Sequence, residues 1–289
     1  MLGTTFATGI TPSKPPPVIR HHSTMPADLS PETEKWHLLL KSVSIFNLLL
    51  WLATASLAPI HTPAARAHRA LSAIYAAVCA FRSFYPRVDL ERIVLVDHWL
   101  SNIALGRTSA TIAEMAFIIQ CGLSLKGLAE TTGVSNAETI GFIIVPIIFI
   151  AQCCCWLGVL TTNHLYHALE ESLWTIMIAL VGAALVEIWP HTSGMTIAYF
   201  LPLALLGCVL GFYVIAFCDV PMYVERYREG NSNGTNKFMS IREGMKDSST
   251  KMVATGDWKT WKHEVGWMTP YFSLGVWLSI AMVWLHTHD

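Results

Sequence analysis

Charge is what this sequence has least of. Only 13% of its 289 residues are Asp, Glu, Lys or Arg, while 53% are hydrophobic; soluble domains usually carry about 25% charge. So few charges cannot cover a water-facing surface, and the composition points to a membrane protein. A net charge of −1 gives no general attraction to nucleic acid, so no nucleic-acid partner is expected. Cysteine comes without pairing motifs. There is no CxxC and no metal-finger spacing, and the consecutive Cys153, Cys154 and Cys155 lie in an apolar run, where they read as small buried residues.

Signature motifs are missing as well. There is no HxxxH with HxxHH as in membrane desaturases, no DDxxD-like run for prenyl diphosphates, no GxSxG, no Walker A and no HExxH. Phosphate-ester chemistry is therefore not expected. The last apolar segment contains no Lys to hold a retinal. No acidic residue precedes Asp28, and residues 1–34, with Pro15-Pro16-Pro17, read as a disordered or targeting tail. No secretory signal is read there.

The apolar runs are plentiful. A spanning helix needs about 20 mainly apolar residues, and seven segments qualify or nearly so: 36–58, 70–85, 109–125, 139–161, 163–189, 195–218 and 268–286. The expected fold is all-α, a polytopic membrane bundle of about seven transmembrane helices. Residues 35–218 would hold six of them, with a helix at 87–105 lying in the interface or capping the bundle. Residues 219–267 would form a basic cytosolic loop, and 268–289 the last helix. Ser30-Pro31 predicts the start of the first helix.

Basic residues set the expected orientation. Lys14, Arg20, Lys35, Lys41, Arg82, Arg87, Arg92, Arg107, Arg226, Arg228, Lys237, Arg242, Lys246, Lys251, Lys259 and Lys262 fall on one side, and only Arg66, Arg69 and Lys126 on the other. The N-terminus and the 219–263 loop are thus expected in the cytosol or its organellar equivalent, and the C-terminus outside. Trp36, Trp99, Trp189, Trp258, Trp261, Trp267 and Trp284 would form an aromatic belt. Asn233-Gly-Thr235 is a sequon on the expected cytosolic side.

The stretch from Asn163 to Trp174 contains His164, His167, Glu170 and Glu171 at the head of the fifth segment. His164, His167 and Glu171 share a narrow helical face. Ionisable groups at bilayer depth are costly and mark function. On the third segment Arg107, Thr111 and Glu114 share a face, and Asp219 ends the sixth. Glu114, Glu171, His167 and Asp219 are the expected catalytic groups, and His164, His167 and Glu170 the expected metal ligands. Zinc, iron and metal-free chemistry all remain open. Glu187 reads as interfacial, the 136–138 segment as a helix cap, and His98 as a surface histidine.

The leading reading is an intramembrane enzyme on a lipid or isoprenoid, by metal-assisted hydrolysis or oxidation or by acid–base isomerisation or cyclisation. The alternatives are an accessory subunit of a larger membrane complex and a proton-coupled transporter. A b-type haem on His164 or His167 with His98 is a third reading. No internal repeat is visible.

Overall fold

The computed structural model describes residues 25–59 and 61–285. Lys14, Arg20 and most of the expected tail lie outside them. Helix α1 (Pro31–Leu57) begins where the sequence places it. Ser30 accepts a hydrogen bond from the Thr33 amide, Pro31 occupies the first turn, and Glu32 and Glu34 face the positive end of the helix dipole. The tail boundary therefore moves from residue 34 to residue 30. Helix α2 (Pro63–Phe84), rich in alanine, is capped by Thr62 and packs against α1 on one side.

The expected interfacial helix at 87–105 does not form. Strands β1 (Arg87–Val88) and β2 (Ile93–Val94) pair antiparallel, and a short 3-10 turn at Trp99–Ser101 follows. Charge and apolar residues alternate here with the period of a strand rather than a helix. Arg92 turns the hairpin at a φ of 59°. His98, expected on the surface, caps the 3-10 turn through its Nδ1 and stacks on Tyr85.

Helix α3 (Ile103–Thr132) starts six residues before the expected 109, because Asn102 caps it from the Leu105 amide. It ends at Gly133, whose φ of 76° suits glycine. Helix α4 (Ser135–Thr161) and helix α5 (His164–Ile188) form a hairpin turned at Thr162, φ 57°, with Asn163 as the α5 cap. Asn136 is not a cap. It lies within the first turn of α4 and donates to Glu187 across the hairpin at 2.9 Å.

Helix α6 (Met195–Val214) runs through a π-helical turn (Ile215–Asp219) into α7 (Val220–Ser232). Pro221 lacks an N–H, and the backbone widens just ahead of it. Helix α8 (Ile241–Thr250) has a Ser240/Glu243 capping box. Strand β3 (Val253–Ala254) then joins β2 in parallel, and the short α9 (Trp258–Trp261) follows. The chain closes with α10 (Val265–Phe272) and α11 (Leu274–Trp284), broken at Ser273 behind Pro270.

The fold is all-α apart from the small three-stranded sheet. Five helices are long and apolar enough to cross a membrane: Pro31–Leu57, Ile103–Thr132, Ser135–Thr161, His164–His191 and the continuous Tyr199–Ser232. Leu49, Leu52, Phe142, Phe149, Ile150, Leu203, Val209 and Leu210 point outward, an apolar exposure that suits lipid rather than water.

Two large cores, and a smaller cluster around Cys155, fill the bundle among the described residues. One lies among α3, α4, α5 and α6 around Ile118, Ile144, Ile148 and Met177, and the other among α1, α2, α3, α10 and α11 around Leu40, Tyr75, Met268 and Phe272. Trp36 and Trp261 belong to the second core, with ring centroids 5.6 Å apart, and are not part of an interfacial belt. Trp99, Trp189 and Trp267 are exposed at helix ends. Arg82, Arg87, Arg92 and Arg107 are likewise buried, so they act inside the protein and not on headgroups. The basic bias of that end persists without them.

Residues 220–261 fold as a cap over one end of the bundle. Gly244 of α8 packs directly on the Leu160 carbonyl at the end of α4, leaving no room for a side chain. Arg92 donates through Nε to Asp247 at 3.0 Å and through Nη2 to the Val159 carbonyl at 2.7 Å. Asp28 accepts from the Thr255 hydroxyl at 2.6 Å and the Gly256 amide at 2.9 Å, tying the cap to the start of α1.

Candidate functional site

Beneath the cap two polar groups occupy the ends of α3, α4 and α5. The first centres on Glu114. Its Oε2 accepts from Arg107 Nη2 at 2.8 Å and from Gln152 Nε2 at 2.6 Å, and its Oε1 from the Tyr271 hydroxyl at 3.2 Å. Arg107 also donates to Gln152 Oε1 at 2.9 Å. Arg107, Glu114 and Gln152 are all buried. Arg107 and Glu114 sit two helical turns apart on α3, and Gln152 meets them from α4. Thr111, between them, accepts from Trp156 Nε1 at 3.1 Å. Arg82 extends the group, its guanidinium lying over the Tyr271 and Phe272 rings at 5.9 and 5.7 Å from their centroids.

The second group is built on the α4–α5 hairpin. Residues equidistant from its turn face each other, so Cys155 meets Glu170 and Gly158 meets His167. His167 Nδ1 is 2.9 Å from Glu170 Oε2, and both residues are buried. The His167 ring lies flat against Gly158, where a Cβ would come within 2.6 Å of Nε2. Nε2 itself is buried and has no hydrogen-bond partner among the described residues. The Cys155 thiol donates to Glu170. Donor atoms of Cys155, His167 and Glu170 all lie within 4.8 Å of one another. Val94, Ile103 and Val159 pack around Cys155, and Met252 and Ala254 of the cap close that apolar wall.

Glu171 and Asp219 stand at the edge of this group. Glu171 is half-buried on α5, within electrostatic reach of Glu170, Asp219 and Glu114 and of Arg107. Asp219 closes the π-helical turn. Among the described residues neither carboxyl group makes a side-chain hydrogen bond. Tyr223, one turn beyond Asp219, stacks on both imidazoles: 5.2 Å from His167 and 6.2 Å from His164. His164 lies nearer the rim. It lines an open cleft of about 400 Å³ with Thr162, Arg226, Asn236 and Lys237.

The structure thus gathers Glu114, His167, Glu170, Glu171 and Asp219 at one level of the bundle. It separates them by role. His164 stands outside the three-donor group, and Cys155 takes the position expected for it. Cys155, Gln152, Tyr223 and Tyr271 were not singled out in the sequence. Cys155 was legible from the hairpin register, since counting back from Thr161-Thr162-Asn163 places it opposite Glu170. Tyr223 arrives through the π-helical turn and Tyr271 through α10, and no local pattern announces either.

Outside the membrane-spanning helices, four carboxyl groups and one guanidinium have environments that shift their titration; the hydrogen bonds of Ser240 hold Glu243 low. Burial raises Asp247, but hydrogen bonds from Lys251 and Arg92 outweigh it and leave the group below its ordinary 3.8. The Thr255 and Gly256 hydrogen bonds hold Asp28 low. Burial raises Glu264. Burial also lowers Arg87 to about 10, although its Nη1 donates to the Leu100 and Asn102 carbonyls.

No family model matches the chain, and no curated protein or solved structure matches it at significance.

Proposed function

We propose that the chain is a seven-helix intramembrane enzyme that moves protons on a lipid or isoprenoid substrate, an isomerase or cyclase. Helices α2 and α10–α11 would complete the seven crossings. At 1.5 Å per residue, the 22 residues of α2 reach about 33 Å. Its low hydropathy suits a helix enclosed by α1, α3 and α11. The N-terminus and the cap would face the cytosol or its organellar equivalent, and the C-terminus the opposite side.

The observation that carries the reading is the pair Glu171 and Asp219. Two carboxyl groups lie in an apolar bundle with no hydrogen-bond partner among the described residues, beside a π-helical turn, a distortion that concentrates at functional sites. One carboxyl gives a proton to a substrate double bond. The other takes a proton from an adjacent carbon as the cation collapses. The sum is an isomerisation or ring closure that needs no redox partner or second substrate. The His167–Glu170 pair and Tyr223 form the polar edge of the site and orient the substrate. Glu114, whose oxygens are committed to three donors, positions Arg107 and does not transfer protons.

The apolar substrate would reach the site through the bilayer beside α6. Leu201 is the one buried side chain among those described on α6, so this wall is the least tightly packed. An accessory-subunit reading draws on the same bare helix. Migration of the native protein only within a much larger assembly on blue-native gels would favour it.

Solvent deuterium tests the enzyme reading without a known substrate. Full-length protein in vesicles made from its own membrane lipids, incubated in D2O, should place deuterium in one lipid class, read by mass spectrometry. Glu171→Gln should slow uptake by roughly 10²–10⁴-fold, the usual contribution of a general acid or base. Uptake in no lipid, or uptake undiminished from wild type in Glu171→Gln and Asp219→Asn, would overturn the reading.

A further inference from the structure

We infer that Cys155, His167 and Glu170 bind a single zinc ion, held between α4 and α5 under the cap. A thiol, an imidazole and a carboxylate are the three side-chain ligand types that zinc accepts. All three are buried, and their donor atoms lie within 4.8 Å of one another. The 2.9 Å between His167 Nδ1 and Glu170 Oε2 is close to the roughly 3.3 Å separating two ligands of one tetrahedral zinc. Conversion of that hydrogen bond into shared coordination therefore needs movement of a few tenths of an ångström.

Charge argues the same way. Glu114 is matched by Arg107 at 2.8 Å. Glu170, buried beside His167, has no Lys or Arg in salt-bridge contact, and Arg226 is engaged with Glu91 at the rim. Burying carboxylates without a counter-charge is costly, and a divalent ion offsets that cost. With Cys155 as thiolate and Glu170 as carboxylate, the ligand set cancels the ion's charge and leaves a locally neutral site in an apolar setting.

The surroundings supply what such a site requires. Gly158 allows the imidazole to lie flat against α4, which any larger residue would prevent. Met252 and Ala254 exclude bulk water from Cys155. Three protein ligands leave a fourth position for water or substrate, the pattern of catalytic rather than structural zinc. Cys155 also makes the donor set softer than the all-nitrogen-and-oxygen set expected from His164, His167 and Glu170, and it favours zinc over magnesium or calcium. Any role of this zinc in turnover rests on the enzyme reading above, whereas its binding does not.

Metal content and cobalt spectroscopy test the assignment. Full-length protein purified in detergent without chelator should carry close to one equivalent of zinc by elemental analysis. Cys155→Ser and His167→Ala should each lower occupancy at least tenfold, while Cys153→Ser, altering an exposed cysteine on the same helix, should not. Cobalt replacing zinc in the wild type should give a near-ultraviolet thiolate-to-cobalt band, which needs no variant to fold. Absence of that band with cobalt bound would remove Cys155 from the site. No zinc or cobalt binding by folded wild type would overturn the proposal outright. Metal bound with no deuterium uptake would sink the enzyme reading and leave the zinc site standing.

Discussion

At the scale of single residues, the site divides into groups that are satisfied and groups that are not. Glu114 is the clearest of the first kind, with three donors on its two oxygens. Glu114→Ala leaves the Arg107 guanidinium buried and unpaired, and breaking a buried pair costs about 3–5 kcal/mol. Thermal melts in detergent should show a large loss of stability. Arg107→Met combined with Glu114→Leu should recover much of it, because neither charge is then left alone. A small effect of Glu114→Ala on melting, with loss of deuterium uptake, would instead place Glu114 in the chemistry.

The residue scale is also where the sequence was read most and least well. His167, Glu170, Glu171 and Glu114 stood out because ionisable groups are conspicuous in apolar runs. Cys155 did not, since a thiol in an apolar run resembles any other small buried side chain until its partner across the hairpin is known. Arg82, Arg87, Arg92 and Arg107 enter the charge count only as basic residues of one side. Only tertiary partners reveal that they are interior, as the contact of Arg87 with the Phe81 ring at 5.0 Å shows.

At the scale of elements, the cap is held by a few close contacts. Gly244→Val would drive a side chain into the Leu160 carbonyl and lift α8 away from α4. Limited proteolysis should then cut near 233–240 at least tenfold faster, with the bundle intact; an unchanged digestion pattern would contradict this packing. Acid should do the same reversibly. The folded state holds Asp247 and Asp28 below the ordinary 3.8, so their contribution is complete above that pH. It is lost as the pH falls through the lowered values, when protonation releases Arg92, Lys251 and Thr255. Proteolysis of the wild type should therefore be flat from neutral pH down to about 5 and rise below about 4. Asp247→Asn should remove most of that rise by opening the cap at every pH.

The elements also explain the misreading of 87–105. Its charge alternation predicts an amphipathic helix, since two-residue strands are too short to declare themselves. β2 is completed by β3, about 160 residues later. Nothing local predicts that pairing. The α1 start was legible because the Ser30-Pro31 signal is entirely local.

At the scale of the whole molecule, the start of α1, the β-hairpin, the α4–α5 turn and the cap converge on one end of the bundle. The 132–135 and 189–194 connections lie at the other. In right-side-out vesicles, a membrane-impermeant maleimide should label Thr192→Cys and not Asn233→Cys, each in a background without Cys153 and Cys218. The reverse pattern, or a glycan on Asn233, would invert the proposed orientation. Labelling at both positions would break the alternation of crossings itself.

The α4–α5 hairpin has a consequence for biogenesis. Cys155, His167 and Glu170 all lie within one short stretch of chain, and its turn at Thr162 is local. A ribosome delivers this hairpin complete long before it delivers residues 241–254, which supply α8 and the strand that covers Cys155. The three donors can therefore meet while still open to the solvent, and an ion can be loaded during synthesis. Residues 241–254 then close over it, so the order of translation sets the order of assembly.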